Sequence, residues 1–221
     1  MAAAGFSRLA AQFYENFLPS NAPLWVMLHY ERRLPHFDVV GQPLFVTFRL
    51  HGSLPDKRIF PPQQLTSGKS FVVMDRLLDQ AVAGPRSLQQ PEIAQIVANA
   101  LCSGEHQFKR YELHSFVIMP NHVHILVTPN VVATRWLGPL KGLTAYHANR
   151  SLGRTGQPFW QEESYDHLVR SPVEMARIQA YIEQNPVSAG LVTAAEQFCW
   201  SSAYALSVGP SGAANSGRSR L

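Results

Sequence analysis

The sequence predicts an α+β fold in which a mainly antiparallel sheet packs against helices. Residues 43–50 (PLFVTFRL) are rich in β-branched and aromatic side chains and are bounded by Gly and Pro, which is typical of a strand. Residues 110–119 and 122–128 have the same character. Pro120-Asn121 between them favours a tight turn, so these two segments predict a β-hairpin.

Helical patterns alternate with these strands. Residues 71–82 predict a helix with Asp75 and Asp79 on its polar side. Residues 91–101 predict a second helix, because Pro91 suits a first helical turn and the apolar residues after it have helical spacing. The same spacing predicts a helix over 133–149. A helical piece therefore stands on either side of the hairpin.

The last predicted helix has the clearest start signal in the chain. Ser171-Pro172-Val173-Glu174 offers an N-cap serine, proline at the first helical position and glutamate three residues after the cap. Residue 185 precedes a proline and should avoid the α region, so the helix is expected to end at Asn185-Pro186. A last short strand is expected just before this helix, over 165–169.

One domain is expected, because 221 residues suit a single core. Its bounds are predicted as 35–207. Residues 1–34 are interpreted as an N-terminal extension with a short amphipathic helix around 6–17, interrupted by too many polar residues for a signal peptide. Residues 208–221 are rich in Gly, Ser and Ala and predict a disordered tail.

Composition narrows the class of protein. A net charge of +4 and a pI near 9.3 permit nucleic-acid binding. No apolar run reaches membrane-spanning length, so no membrane partner is expected. The two cysteines, Cys102 and Cys199, lack metal-ligand spacing and indicate reduced thiols of a cytoplasmic protein.

The segment MPNHVHILVTP, residues 119–129, carries the first candidate site. His122 and His124 are two residues apart in a predicted strand, so both side chains point to the same face. Val123 and Ile125 point to the other face, into a core. The two imidazoles could share one metal ion or one phosphate.

A second polar pair lies on the last helix. Tyr181 and Asn185 are four residues apart and share one face, with Arg177 one turn earlier on the same side. A tyrosine beside a core often only packs, and an asparagine before proline often only caps. A functional role gains support if this helix crosses the sheet face that carries the histidines.

Three blocks together resemble a known family. They are MPNHVHILV; GQPFWQ running into YDHLVR; and YIEQNPV with AGLV, followed by WSSA. In this order and spacing the chain resembles the single-tyrosine HUH transposases of the insertion-sequence type, and most closely the REP-associated tyrosine transposases. The resemblance covers roughly residues 33–204. Ser188 departs from it, since many relatives carry a basic residue there.

The resemblance implies a ferredoxin-like core and a metal-dependent endonuclease and strand transferase acting on single-stranded DNA, with hairpin-forming repeats as the expected partner. It implies His122, His124 and Asn185 as ligands of Mg²⁺ or Mn²⁺. It implies Tyr181 as the nucleophile that takes the 5′ phosphate and leaves a free 3′ hydroxyl. A phenol has a pKa of about 10, so a cation that polarises the phosphate suits this chemistry. The protein would act as a monomer or homodimer.

Further residues are candidates for holding the DNA. Basic side chains between the histidine strand and the tyrosine helix, or on that helix, could contact phosphates, and one tryptophan could stack on a base. These residues are Lys141, Arg150, Arg154, Arg170, Arg177 and Trp160. Surface cations are usually only solvated, and Trp160 could equally belong to the core. Tyr146 and Tyr165 compete with Tyr181 for the nucleophile role until the resemblance ranks them.

Three alternatives accompany this interpretation. A histidine-triad enzyme would need a third histidine at position 126, which is Leu. A zinc protein would need a further ligand, for which His114 and His167 are available without a supporting motif. The third alternative is a non-catalytic single-stranded nucleic-acid-binding protein derived from a transposase. It stays possible although the implied catalytic and metal-binding residues are all present, namely His122, His124, Tyr181 and Asn185.

Overall fold

The computed structural model describes residues 28–31, 35–54, 75–79 and 84–204. The predicted helix near residues 6–17, the loop over 55–70, both ends of the predicted 71–82 helix and the tail over 208–221 lie outside these residues. No helix among the described residues is long and apolar enough to cross a membrane.

The described strands form two antiparallel sheets. The smaller sheet pairs β1 (Leu28–Glu31) with β2 (Pro35–Asp38), so one of its strands falls within the predicted extension. The larger sheet contains four strands in the order β4-β5-β3-β6, each antiparallel to its neighbours. Their bounds are β3 Leu44–Arg49, β4 Tyr111–Ile118, β5 His122–Pro129 and β6 Tyr165–Leu168. The four strands and the hairpin predicted from the sequence are confirmed.

Within the described part of the chain, three long helices accompany the sheet: α1 (Pro91–His106), α2 (Ala133–Ser151) and α3 (Pro172–Ser188). Residues 75–79 form a further helical segment. From β3 to β6 the chain follows a β-α-β-β-α-β order, and the first and third of these strands lie at the centre of the sheet. This is the ferredoxin-like arrangement, so the predicted fold class is confirmed.

Each face of the larger sheet has its own core, because successive strand side chains alternate between faces. On one face Val46 and Ile125 pack with α1 and α2. On the other face Phe45 and Leu126 pack with Ile182 of α3 and with the helical segment 75–79. His122 and His124 are separated from Leu126 by an even number of positions in β5, so their side chains lie on the same face as Leu126. Both histidines therefore face α3.

The helix α3 begins as predicted and ends later. The Ser171 hydroxyl accepts a hydrogen bond from the Glu174 backbone N–H at 3.1 Å, which caps the first turn. The expected end at Asn185-Pro186 is wrong, because the helix continues to Ser188 and the Ala189 N–H still reaches the Asn185 carbonyl at 2.9 Å. Burial of Ile182 and Asn185 holds this turn on the sheet and outweighs the local preference before proline.

Candidate metal centre and tyrosine site

The histidine pair lies on β5, between β3 and β4, with both imidazoles fully buried. The Nε2 atoms of His122 and His124 are 3.1 Å apart, and their ring centroids are 4.6 Å apart. The alternation of strand side chains predicted this common orientation. One small cation could therefore contact both nitrogens.

The outer nitrogens of the pair are engaged by neighbouring side chains. The Nδ1 of His122 is 2.7 Å from Asn121 Oδ1, and the Nδ1 of His124 is 2.7 Å from Thr47 Oγ1 on β3. A hydrogen bond at one ring nitrogen sets the orientation of the imidazole and leaves the other nitrogen for a ligand. Both Nε2 atoms therefore converge on the space beneath α3.

Asp75 from the helical segment 75–79 completes this cluster. Its Oδ1 is 3.0 Å from His124 Nε2 and 3.5 Å from His122 Nε2, and its side chain is buried. One potential ligand atom from each of these three residues lies within 4.8 Å of the others. The sequence indicated Asp75 only as part of a polar helix side, whereas the structure turns it inward toward the histidines.

Both predicted residues of α3 meet the same carboxylate. The Tyr181 hydroxyl donates a hydrogen bond to Asp75 Oδ2, and the Asn185 Nδ2 donates to that oxygen at 3.2 Å. The Tyr181 ring also packs against His124, with 5.9 Å between centroids. The helix therefore crosses the sheet face that carries the histidines, which is the condition under which a functional role gains support.

Burial and charge set the protonation of the cluster. Burial and the neighbouring His124 lower the pKa of His122 to about 3, against the attraction of Asp75. Burial alone would raise the pKa of Asp75, but His124, His122 and the Asn185 amide outweigh it and hold that pKa below its ordinary value. His122 is therefore a neutral imidazole and Asp75 a carboxylate near neutral pH, the forms that bind metal ions.

The residues present fit a divalent cation. Two imidazole nitrogens and one carboxylate oxygen converge, and the Asn185 Oδ1 is buried without a hydrogen-bond partner. An unpaired buried amide oxygen is costly, and a cation would satisfy it. Mixed nitrogen and oxygen donors suit Mn²⁺ better than Ca²⁺ and are compatible with Mg²⁺.

A surface cavity of about 430 Å³ opens beside the cluster. Its lining residues are Arg76, Asp79, Ser188 and Ala189. Burial and the charge of Asp75 raise the pKa of Asp79 to about 7, and Asp79 Oδ1 lies 4.0 Å from His122 Nε2. The cavity therefore reaches the second carboxylate of the helical segment.

Trp160 and Lys141, two of the predicted DNA contacts, have hydrogen-bond partners within the protein. The indole of Trp160 is 8 % exposed, packs edge-on against Phe48 and donates from Nε1 to Thr144 Oγ1 at 2.9 Å. Core side chains enclose its ring, which favours the core role that the sequence left open for Trp160. The Lys141 ammonium donates to the backbone carbonyls of Gln161 and Glu162, both at 2.8 Å, and so holds the segment before β6.

The remaining basic candidates and the competing tyrosines are dispersed. Arg150, Arg170 and Arg177 are exposed and Arg154 is half-buried. Tyr146 is 55 % exposed on α2, a helix that packs with the other face of the sheet. Tyr165 on β6 lies edge-on to Phe45, with 6.4 Å between ring centroids. Of these three tyrosines, Tyr181 is the one hydrogen-bonded to Asp75.

The four-stranded antiparallel sheet thus presents a histidine pair on a central strand, beneath a helix that carries a tyrosine. Residues 87–185 match the family model described as "Transposase IS200 like". This match supports the resemblance to the single-tyrosine transposases that the sequence blocks carry.

A solved structure supports the fold. A REP-associated tyrosine transposase bound to a REP hairpin is similar to this chain with a TM-score of 0.51 and 16% identity. The similarity covers 87% of this chain and 98% of the other. No curated protein matches the sequence.

Proposed function

We propose that the protein is a metal-dependent endonuclease and strand transferase for single-stranded DNA, with Tyr181 as its nucleophile. One observation carries the proposal: the Tyr181 hydroxyl is bonded to Asp75, and the same carboxylate lies 3.0 Å from His124 Nε2. A nucleophile beside a set of cation ligands is the arrangement that phosphodiester cleavage requires.

The residues have separate roles in the proposed reaction. His122, His124 and Asp75 hold the cation, and the Asn185 Oδ1 is available as a fourth donor. A divalent cation supplies Lewis acidity to a phosphate oxygen and screens the charge that develops during displacement. Asp75 accepts the phenol hydrogen bond and keeps the Tyr181 oxygen at the edge of the centre.

The proposed step is a transesterification. The Tyr181 oxygen forms a bond to phosphorus and loses its proton, while the bond from phosphorus to the 3′ oxygen breaks and that oxygen gains a proton. The products are a 5′-phosphotyrosine and a free 3′ hydroxyl. Because a phosphodiester is kept throughout, a second 3′ hydroxyl can reverse the step and join a new strand.

The substrate is proposed to be single-stranded DNA next to a hairpin. The family match and the REP hairpin bound by the similar transposase support this choice. Exposed Arg170 and Arg177 near the start of α3 are the proposed phosphate contacts, with Arg150 and Arg154 as further candidates. The proposed active unit is a monomer or homodimer in the cytoplasm.

The test uses labelled oligonucleotides from DNA that flanks the protein's own gene, single-stranded and fully paired, with Mg²⁺, Mn²⁺ or chelator. We expect cleavage of the single strands that requires the cation, and a protein–DNA adduct that survives denaturing electrophoresis. Raising salt should weaken binding steeply, because phosphate contacts release counterions. Tight binding without cleavage or adduct would instead favour the non-catalytic nucleic-acid-binding alternative.

A further inference from the structure

Asn121, in the turn between β4 and β5, contacts two separate parts of the candidate metal centre. Its Nδ2 donates to the Leu78 carbonyl at 2.9 Å, and its Oδ1 lies 2.7 Å from His122 Nδ1. The residue is 4 % exposed, and its own backbone carbonyl accepts a hydrogen bond from the Leu50 N–H at 2.8 Å. Its side chain is therefore held in one place.

The contact with Leu78 determines the orientation of the amide. A backbone carbonyl can only accept a hydrogen bond, so the nitrogen of the Asn121 amide must face Leu78. The amide oxygen then faces His122, and an amide oxygen carries no proton. The hydrogen of this second bond therefore belongs to His122 Nδ1, which leaves His122 Nε2 with a free lone pair.

That lone pair points into the centre. His122 Nε2 lies 3.5 Å from Asp75 Oδ1 and 3.1 Å from His124 Nε2. The tautomer of His124 is not fixed in this way, because the hydroxyl of Thr47 can either donate to His124 Nδ1 or accept from it. Asn121 is thus the side chain that fixes a tautomer at this centre.

The contact with Leu78 also helps to position Asp75, the third candidate ligand. Leu78 belongs to the helical segment 75–79, and Asp75 lies one turn earlier in the same segment. The side chain of Leu78 is buried in the core beneath α3. The Asn121 hydrogen bond therefore ties the segment that supplies the carboxylate to the strand that supplies the imidazoles.

From these contacts we propose that Asn121 is the positioning residue of the metal centre. It selects the Nδ1–H tautomer of His122 and holds Asp75 in register with the histidine pair, so that a divalent cation meets all three ligands at once. The inference rests on the proposed function in so far as the cluster binds a cation. Partners behind metal-bound histidines typically change metal affinity by about 10–100-fold.

The first test measures Mn²⁺ binding to the full chain without DNA, from the electron paramagnetic resonance signal of free Mn²⁺. Asn121→Leu keeps the approximate shape and removes both hydrogen bonds, and we expect it to weaken Mn²⁺ binding by about 10–100-fold. Asn149→Leu is the matched control, since Asn149 is a buried asparagine of α2 that donates to the Gln157 carbonyl at 2.6 Å. It should lose stability and keep the wild-type affinity.

The second test reads the tautomer directly, from the ¹⁵N shifts and long-range couplings of the imidazoles in the metal-free protein. His122 should carry its proton on Nδ1 in the wild type and in Asn121→Asp, which keeps an acceptor at that position. A wild-type His122 protonated on Nε2 overturns the inference whether or not any variant folds. If Asn121→Leu binds Mn²⁺ with wild-type affinity, the positioning role of Asn121 is also excluded, but the metal centre is not. If the wild-type protein binds no Mn²⁺, the metal centre itself is excluded.

Discussion

The Tyr181 hydroxyl donates its hydrogen bond to the carboxylate of Asp75, a residue 106 positions earlier in the chain. The other oxygen of that carboxylate faces His122 and His124. One side chain therefore joins the candidate nucleophile to the candidate metal ligands.

Tyr181→Phe should abolish the covalent protein–DNA adduct, because the substitution keeps the ring and removes only the attacking oxygen. DNA binding and thermal stability should change little, since the ring contacts with Phe45 and His124 stay. Denaturing electrophoresis with labelled DNA measures the adduct. Tyr146→Phe and Tyr165→Phe are the matched controls and should still form it. An adduct that persists in Tyr181→Phe and vanishes in one of the controls would assign the nucleophile to the tyrosine changed in that control.

His122→Ala and His124→Ala should each abolish cleavage that depends on Mg²⁺ or Mn²⁺. Each change removes one imidazole of a pair whose Nε2 atoms are 3.1 Å apart, so the remaining ligands bind a cation poorly. Circular dichroism should show the same secondary structure as the wild type, because β5 stays paired with β3 and β4. Cleavage at the normal rate in the double variant would exclude this metal site.

Asp75→Asn should lower Mn²⁺ affinity and slow cleavage, because it removes the negative charge that lies against both imidazoles. Titration of the metal-free protein with Mn²⁺ checks the binding, and a cleavage time course checks the rate. Asp79→Asn is the matched control on the same helical segment, since its carboxylate is 4.0 Å from His122 Nε2. A larger loss of affinity in Asp79→Asn than in Asp75→Asn would reverse the ligand assignment.

Trp160→Ala should destabilise the fold by about 3–5 kcal/mol, the usual range for removing a large buried aromatic side chain. The loss comes from the edge-on contacts with Phe48 and Phe159 and from the Thr144 hydrogen bond. Urea denaturation measures the free energy of unfolding. DNA affinity per folded molecule should stay unchanged. A stable variant with weakened DNA binding would instead restore the base-stacking role.

Glu174 should make stability depend on pH in the acid range. Burial raises its pKa, but the Arg170 backbone N–H and the His167 side chain outweigh burial and bring the pKa below the ordinary 4.5. A carboxylate with a lowered folded pKa stabilises the protein above its unfolded pKa, and this stabilisation is lost as pH falls through the folded pKa. The melting temperature of Glu174→Gln should therefore lie below wild type near neutral pH and approach it in acid.

The control for this prediction is Glu92→Gln, which changes an exposed glutamate in the first turn of α1. Its difference from wild type should vary less with pH than the difference of Glu174→Gln. Parallel melting curves for both variants at neutral and acid pH make the comparison. A Glu174→Gln difference that grows on acidification would contradict the sign of the shift.

Local sequence patterns predicted the parts of the site that depend on local geometry. Strand alternation placed His122 and His124 on one face, and helical spacing placed Tyr181 beside Asn185. The contact of Asp75 with the two histidines was not predicted, because no pattern in its own segment indicates a contact with β5. The enclosure of Trp160 likewise depends on Phe48 and Thr144, which are distant in sequence. At Pro186 a tertiary contact outweighed a local preference, so the predicted helix end was wrong.

The position of β5 in the middle of the larger sheet has a consequence for motion. Backbone hydrogen bonds to β3 and β4 hold this strand along both edges, so its amide protons should exchange with solvent only when the sheet as a whole opens. α3 and the helical segment 75–79 rest on the sheet through side chains. The helix can therefore shift on the sheet by small movements while the two imidazoles stay in place.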